Sequence, residues 1–246
     1  MINSKRVLGI VLARAGSKGL PGKNWKPLMD KPLVQYAIEA GINSKYIDDV
    51  IISTDCEQCL KIARNLGIEV PFRRPNELSR DGVSSADVIA HALDFLNGNG
   101  RFYDMFVLLE PTSPLRDAVD VDKALEIMTN GGHESLVSVC QAEDQHPSFM
   151  FNIQADGTLV SWSGDEFVPL RRQEIQPTYY LDGSVYISDV KEFLKKRTFC
   201  HEKTVAYIVP KWKAYEVDDI WDFICIEAIM KYKQENAEVG NEQKLI

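Results

Sequence analysis

Residues 7–24 read Val7-Leu8-Gly9-Ile10-Val11-Leu12-Ala13-Arg14-Ala15-Gly16-Ser17-Lys18-Gly19-Leu20-Pro21-Gly22-Lys23-Asn24, an apolar run that stops at an arginine and opens into a glycine-rich basic turn. The pattern predicts a buried strand over residues 7–13, followed by a loop of cations and unhindered backbone N–H groups. Glycine lets such a loop approach a polyphosphate closely, and fixed cations offset the phosphate charge. A basic surface turn would have the same composition. Neither standard phosphate fingerprint is present. Five residues separate Gly16 from Gly22 where a Walker A loop needs four, Asn24 replaces its Ser or Thr, and the Rossmann glycine spacing is absent.

Outward from this stretch, strand and helix patterns alternate. A helix from Pro32 to about Ile42 precedes a strand over residues 50–53, and Asp55 is placed to cap a helix running to Leu66. A short strand is expected at residues 69–70 and a charged loop over residues 73–82. Ser84 or Ser85 should cap the helix carrying Val88, Ile89, Ala92, Leu93 and Leu96, apolar at helical spacing. Residues 105–109 are continuously apolar, as in a central strand. A helix over residues 117–128 and a strand over 135–140 follow. Strands separated by helices argue for a mainly parallel three-layer α/β sheet. Ligands in such sheets sit at the carboxyl ends of strands, where the Arg14 loop, Ser53-Thr54-Asp55 and Glu110-Pro111-Thr112 fall.

The rhythm breaks over residues 141–182, where β-like pieces at 149–153, 158–162 and 167–170 and an Asp156-Gly157 turn suggest an antiparallel excursion. Returning strands are expected at 184–187 and 204–209, with an amphipathic last helix over 219–233 and a polar tail. The expected organisation is a core of residues 1–140 and 184–236, an excursion of 141–183 and a tail of 237–246.

Composition narrows the function classes. The chain has 246 residues and a formal net charge of −8, which disfavours nonspecific binding to nucleic acid or an anionic membrane. No apolar run reaches the roughly 20 residues of a membrane span. The N-terminal apolar stretch resembles a signal peptide weakly, and Arg14 inside the would-be cleavage site favours a first buried strand and a cytoplasmic protein. Five scattered cysteines, with one C-x-x-C at Cys56 and Cys59, read as small packed residues rather than a disulfide or zinc framework. His91, His133, His146 and His201 accompany no nucleophile motif.

Glu216-Val217-Asp218-Asp219, before the last helix, is the second informative site. Residues i and i+2 on extended chain point the same way, so Glu216 and Asp218 can face one hard cation together. Equally, Asp218 or Asp219 can simply cap the helix.

Taken together, these segments resemble the CMP-sialic acid synthetase family, the cytidylyltransferases that activate acidic eight- and nine-carbon sugars. The matching pieces run from residue 12 to residue 218 in family order. They are the Leu12 to Asn24 turn, Ile52-Ser53-Thr54-Asp55, Arg74-Pro75-Asn76-Glu77-Leu78, Ser84-Ser85, Pro111-Thr112-Ser113-Pro114-Leu115-Arg116, Arg172-Gln173, Gly183-Ser184-Val185-Tyr186-Ile187 and Glu216-Val217-Asp218. The resemblance implies a nucleotidyltransferase core with a β-rich dimerisation excursion and attack of a sugar hydroxyl on the α-phosphorus of CTP. By the same likeness, Arg14, Lys23 and Asp218 are catalytic. The nucleotide meets Arg14, Ser17, Lys23, Asn24, Arg74 and Ser84 or Ser85. Glu110, Arg172, Gln173, Asp182, Tyr186 and Phe199 meet the sugar, and Glu216 and Asp218 hold Mg2+ or Mn2+. Partners would be CTP, a small acidic sugar and a second copy of the chain, with no nucleic acid and no membrane.

Several positions depart from the family pattern. Glu216 replaces the usual Asp, Glu110 stands where sialic acid enzymes have Gln, Phe149 where some have Lys, and Asp182 replaces an Asn. These changes suggest a substrate other than plain N-acetylneuraminate, such as a legionaminate-type sugar. The rival readings are a sugar-nucleotide-dependent glycosyltransferase and a non-catalytic nucleotide-binding oligomer.

Overall fold

The computed structural model describes residues 1–16, 19–162 and 175–238. Its strands are β1 (Val7–Leu12), β2 (Pro27–Leu28), β3 (Lys31–Pro32), β4 (Asp49–Ser53), β5 (Met105–Leu109), β6 (Ser135–Gln141), β7 (Phe151–Ile153), β8 (Leu159–Ser161), β9 (Tyr179–Asp189) and β10 (Thr204–Ile208). Its helices are α1 (Leu33–Ile42), α2 (Glu57–Asn65), α3 (Ser85–Gly98), α4 (Ala118–Asn130), α5 (Val190–Lys196) and α6 (Ile220–Glu238). Six strands form one sheet in the order β10-β6-β9-β5-β1-β4.

The period of two along β1 decides the layers. Val7 and Val11 join one apolar cluster with α1, α2 and α4, through Ala37, Ile38, Cys59, Ala63 and Leu125. Leu8 and Ile10 join another with α3 and α5, through Ile89, Leu93, Leu96 and Phe193. Helices thus cover both faces, as expected of a three-layer α/β/α domain. Every residue of β5 is buried, which confirms its central place.

The sheet is more mixed than expected. β1 pairs in parallel with β4 and β5, and β10 with β6, but β9 runs antiparallel between β5 and β6. The return expected at residue 184 falls inside this eleven-residue strand, which is already paired from Tyr179 opposite Gln141. Asp55 does not cap α2. Cys56 holds the cap position without a side-chain bond, and the Asp55 carboxylate instead accepts the Ala15 N–H at 2.8 Å. The strand expected at 69–70 reduces to a single bridge from Glu69 to Ile51. In the excursion, β7 and β8 pair as a hairpin around Gly157, whereas the piece expected at 167–170 lies outside the described residues. Among the described residues no helix is long and apolar enough to cross a membrane.

Candidate active site

A cleft of about 430 Å³ opens at the carboxyl ends of β1 and β5, lined by Leu12, Arg14, Gly16, Gly19, Lys23, Asn24, Glu110, Pro111, Thr112 and Asp218. The first turn and the late acidic segment therefore meet, 194 residues apart in the chain, where Lys23 Nζ donates to the Val217 carbonyl at 2.6 Å. Lys23 also reaches Asp218 Oδ1 at 3.3 Å. Asn24 is buried and donates to the Arg14 carbonyl at 3.0 Å, which fixes the shape of the turn. Arg14 lies on the cleft wall and pairs with Asp81 at 2.7 Å.

Local packing explains how the acidic segment is held. Val217 is fully buried in a small cluster with Leu28, Leu33, Leu115, Phe223 and Ile226, and its N–H donates to the Thr112 carbonyl at 2.8 Å. With Val217 anchored, Asp218 lines the cleft, and Glu216 lies beside it against Ser113 and Gly183 on a neighbouring hollow. Asp219 takes the capping role, accepting the N–H groups of Trp221 and Asp222, while Asp222 returns a carboxylate to the N–H groups of Asp218 and Asp219. Asp218, its side chain 82% exposed, is left free of capping.

Two glycines seat this segment. A Cβ on Gly19 would run into the Asp218 carbonyl oxygen, and one on Gly183 would run into the Glu216 carboxylate. Gly183 also has φ +76°, a conformation that glycine adopts without penalty. Gly183→Ala is therefore expected to cost roughly 1–2 kcal/mol of stability. It should also displace Glu216 and lower turnover about tenfold or more, measured by denaturation and steady-state kinetics on one preparation.

Electrostatics set the character of the cleft floor. Burial, reinforced by nearby Glu216, pushes the Glu110 carboxyl up to about 7, with Arg116, Arg74 and Lys23 pulling the other way. Burial also raises Glu216, and Asp218 adds to this, while a 3.2 Å bond from the Ser113 hydroxyl opposes it. The Tyr186 phenol, pushed up to about 12 chiefly by burial, is flanked by Glu216, Asp182 and Glu110.

A carboxyl raised in the folded state binds protons that the unfolded chain has released. Stability attributable to Glu110 is thus highest below about pH 4.5 and is lost as pH rises to about 7, by roughly 3 kcal/mol at most. Glu110→Gln should flatten that slope and raise the urea midpoint at pH 8 relative to the parent.

The other expected site residues divide into three groups. Arg74 is buried at the end of β4, with Nε on Ser53 Oγ at 3.1 Å, and burial lowers its pKa. Ser84 and Ser85 are exposed at the start of α3; Ser84 is the cap, accepting the Asp87 N–H at 3.1 Å, and neither serine lines the cleft. Phe199 stacks with Phe106, Phe193 and Tyr186 at 4.9–5.6 Å, so one of its roles is to pack the core beneath Tyr186. Asp182 is 2% exposed, accepts from the Ser184 hydroxyl and has no partner for Oδ1 among the described residues. Ser17, Arg172 and Gln173 lie outside the described residues.

Sequence reasoning assigned no role to Arg116. Its guanidinium is buried and donates to the carbonyls of Glu110 at 3.2 Å and Ser184 at 2.9 Å, and burial lowers its pKa to about 10. It ties the end of β5, at Glu110, to the interior of β9, at Ser184. The signal available in the sequence was its place at the end of Pro111-Thr112-Ser113-Pro114-Leu115-Arg116, one of the pieces that carry the family resemblance.

Magnesium and manganese sites shared with phosphate need only one or two protein carboxylates. Among the described residues no larger group of metal-binding side chains is gathered. Glu216 and Asp218 fit the smaller requirement. The first is kept costly to ionise by burial and by the second, a penalty that a cation relieves.

Comparison with known proteins agrees with this geometry. The cytidylyltransferase family model matches residues 8–155. An N-acylneuraminate cytidylyltransferase of Streptococcus agalactiae serotype V is 36% identical over 217 residues, 87% of this chain and 51% of that protein. The chain spans about half the length of that relative. A CMP-N,N'-diacetyllegionaminic acid synthase of Legionella pneumophila is 33% identical over 234 residues, 94% of this chain and 98% of that protein. The fold matches a CMP:2-keto-3-deoxy-manno-octonic acid synthetase structure with a TM-score of 0.66 and 16% identity, covering 93% of this chain and 99% of the other. With more than half its length matched by the family model and nearly all of it aligned to a relative of its own size, this chain belongs to the cytidylyltransferase family.

Proposed function

We propose that this chain transfers a cytidylyl group from CTP to an acidic nonulosonic sugar, giving a CMP-sugar and pyrophosphate. The observation that carries the reading is the junction of the glycine-rich turn with the acidic segment, through Lys23, Val217 and Asp218, in one cleft. The sugar's anomeric hydroxyl oxygen bonds to the α-phosphorus. The bond from that phosphorus to the α–β bridging oxygen breaks, pyrophosphate leaves with the electron pair, and the hydroxyl proton passes to water.

Charge accumulates on nonbridging oxygens during such a displacement, so positioning and cationic clamps do most of the catalysis. Arg14 and Lys23 hold the phosphates. Asn24 shapes the turn beneath the ribose, and Ser17 and Arg74 complete the nucleotide side; Ser84 and Ser85, which lie off the cleft at the start of α3, have no part in this reading. Glu216 and Asp218 hold Mg2+ or Mn2+, which when bound polarises the phosphoryl group and offsets its charge. On the sugar side, Glu110, Asp182, Tyr186 and Phe199 line the pocket, joined by Arg172 and Gln173 from the excursion. Relatives named for sialic, legionaminic and pseudaminic acids support a nonulosonic substrate.

A homodimer is part of the proposal. The β7–β8 hairpin leaves Ile153 75%, Leu159 61% and Trp162 60% exposed, an apolar surface suited to a second copy of the excursion.

Mass spectrometry of products formed from CTP and a panel of ulosonic acids tests the reaction. A CMP-sugar with stoichiometric pyrophosphate is the expected outcome. Consumption of a sugar nucleotide with release of CMP or UDP, and no pyrophosphate from CTP, would overturn it in favour of glycosyl transfer.

A further inference from the structure

The main chain at Arg14 is fixed on both sides. Its carbonyl accepts the Asn24 amide at 3.0 Å, and the next N–H, that of Ala15, is held by the Asp55 carboxylate at 2.8 Å. The guanidinium has no burial to hold it in the same way. Its side chain is 37% exposed, and the buried Arg74 stands near enough for the two like charges to act on each other. A long side chain in that setting samples many rotamers unless something restrains it. Asp81 does so, accepting from Arg14 Nη1 at 2.7 Å. Arg14 makes no other side-chain hydrogen bond among the described residues.

Asp81 comes from a separate stretch of chain, 67 positions along, and is itself placed by a tight turn. The Val83 N–H donates to the Arg80 carbonyl at 3.4 Å, and Gly82, between Asp81 and Val83, has φ +88°, a value that such turns reserve for glycine. Both flanks of the turn are anchored. Upstream, the Arg74 N–H donates to the Thr54 carbonyl at 2.9 Å; downstream, Ser84 caps α3. The loop therefore carries Asp81 to the Arg14 side of the cleft and holds it there. Exposed ion pairs add little to folding stability, so the consequence of this one lies in where Arg14 points. One guanidinium nitrogen is committed to Asp81, and the rest of the fork keeps N–H donors for a phosphate.

We propose that Asp81 is a positioning residue for cytidylyl transfer, holding the Arg14 guanidinium by one nitrogen so that its other N–H groups are presented to the triphosphate. The inference rests on the cytidylyl-transfer reading and adds to it a residue that touches neither nucleotide nor sugar. Asp81 has two opposed effects on CTP. Its negative charge repels phosphate, but its side chain is 55% exposed, so solvent and salt weaken that repulsion. Orienting Arg14 in advance spares the nucleotide the cost of ordering a long side chain as it binds. Positioning is the larger effect.

Calorimetry of CTP with Mg2+ on the full chain tests the inference without a sugar, alongside kinetics on the ulosonic acid turned over fastest in the product panel. Asp81→Asn is expected to weaken CTP binding about three- to tenfold, the factor set by ordering one long side chain on binding. Tm should stay at the parent value, and KM for CTP should rise by more than kcat falls. Asp81→Glu, which keeps the carboxylate, should recover the parent affinity to within about twofold. In an Arg14→Gln background, Asp81→Asn should have no further effect, because its route to the nucleotide is gone. Equal or tighter CTP binding by Asp81→Asn would overturn the inference. So would the same loss in the parent and Arg14→Gln backgrounds, or Asp81→Glu binding no better than Asp81→Asn. Pyrophosphate release by the parent would in each case leave cytidylyl transfer standing. A parent that neither binds CTP nor releases pyrophosphate would overturn both.

Discussion

Asp218→Ala is expected to lower kcat/KM for CTP and sugar by about 10³-fold while leaving the circular dichroism spectrum and Tm close to those of the parent. The side chain is 82% exposed and caps nothing, since Asp219 performs that role. Removing it takes away little that the folded state depends on, because exposed ion pairs such as Lys23–Asp218 contribute little to stability. What would be lost is one of the two carboxylates proposed to hold a metal beside the phosphates. Near-normal turnover would show that Asp218 is not a metal ligand. A collapse of Tm in step with activity would show that it is a structural residue.

Lys23→Met should produce the second-largest effect, a loss of about 10²–10³-fold in kcat/KM with most of it seen as a raised KM for CTP. Methionine keeps the length and apolar body of the lysine but removes the charge. Unlike Asp218, Lys23 is largely buried, 13% exposed, and its ammonium binds the Val217 carbonyl. A stability cost of about 1 kcal/mol is therefore expected as well. The two variants separate the turn's roles: Lys23→Met should weaken nucleotide binding even without metal, whereas Asp218→Ala should weaken it only when metal is present. Equal CTP affinity in parent and Lys23→Met, measured by calorimetry, would contradict the phosphate role.

The residues that were legible from sequence are those whose environment is set locally or by one face of an element. The first strand, the central apolar β5 and the helical spacing of α3 each carry their burial pattern in their own composition. The glycine-rich turn was legible because few sequences place three cations and three glycines directly after a buried strand.

What was not legible depended on distant partners. Asp55 looks like a helix cap beside Thr54, yet its carboxylate is drawn to the Ala15 N–H across the sheet end, 40 positions away. The central strand β9 was read as starting late because Tyr179, Tyr180 and Leu181 are exposed and Gly183 interrupts the pattern with a positive φ. Its antiparallel placement between β5 and β6 follows from the chain re-entering through the excursion, which no local period encodes. Arg116 is the extreme case, since one of its backbone acceptors, the Ser184 carbonyl, lies 68 positions away. The choice between Asp218 and Asp219 as the helix cap was balanced in sequence. It is decided by the bonds of Asp219 to Trp221 and Asp222, which leave Asp218 to the cleft.

A crystal structure of the chain with a non-hydrolysable CTP analogue and Mg2+ tests the central claim most directly. The triphosphate is expected against Arg14 and Lys23, with a cation bound at Glu216 and Asp218. A nucleotide bound elsewhere, with Lys23 still on the Val217 carbonyl and no ion at Asp218, would contradict it.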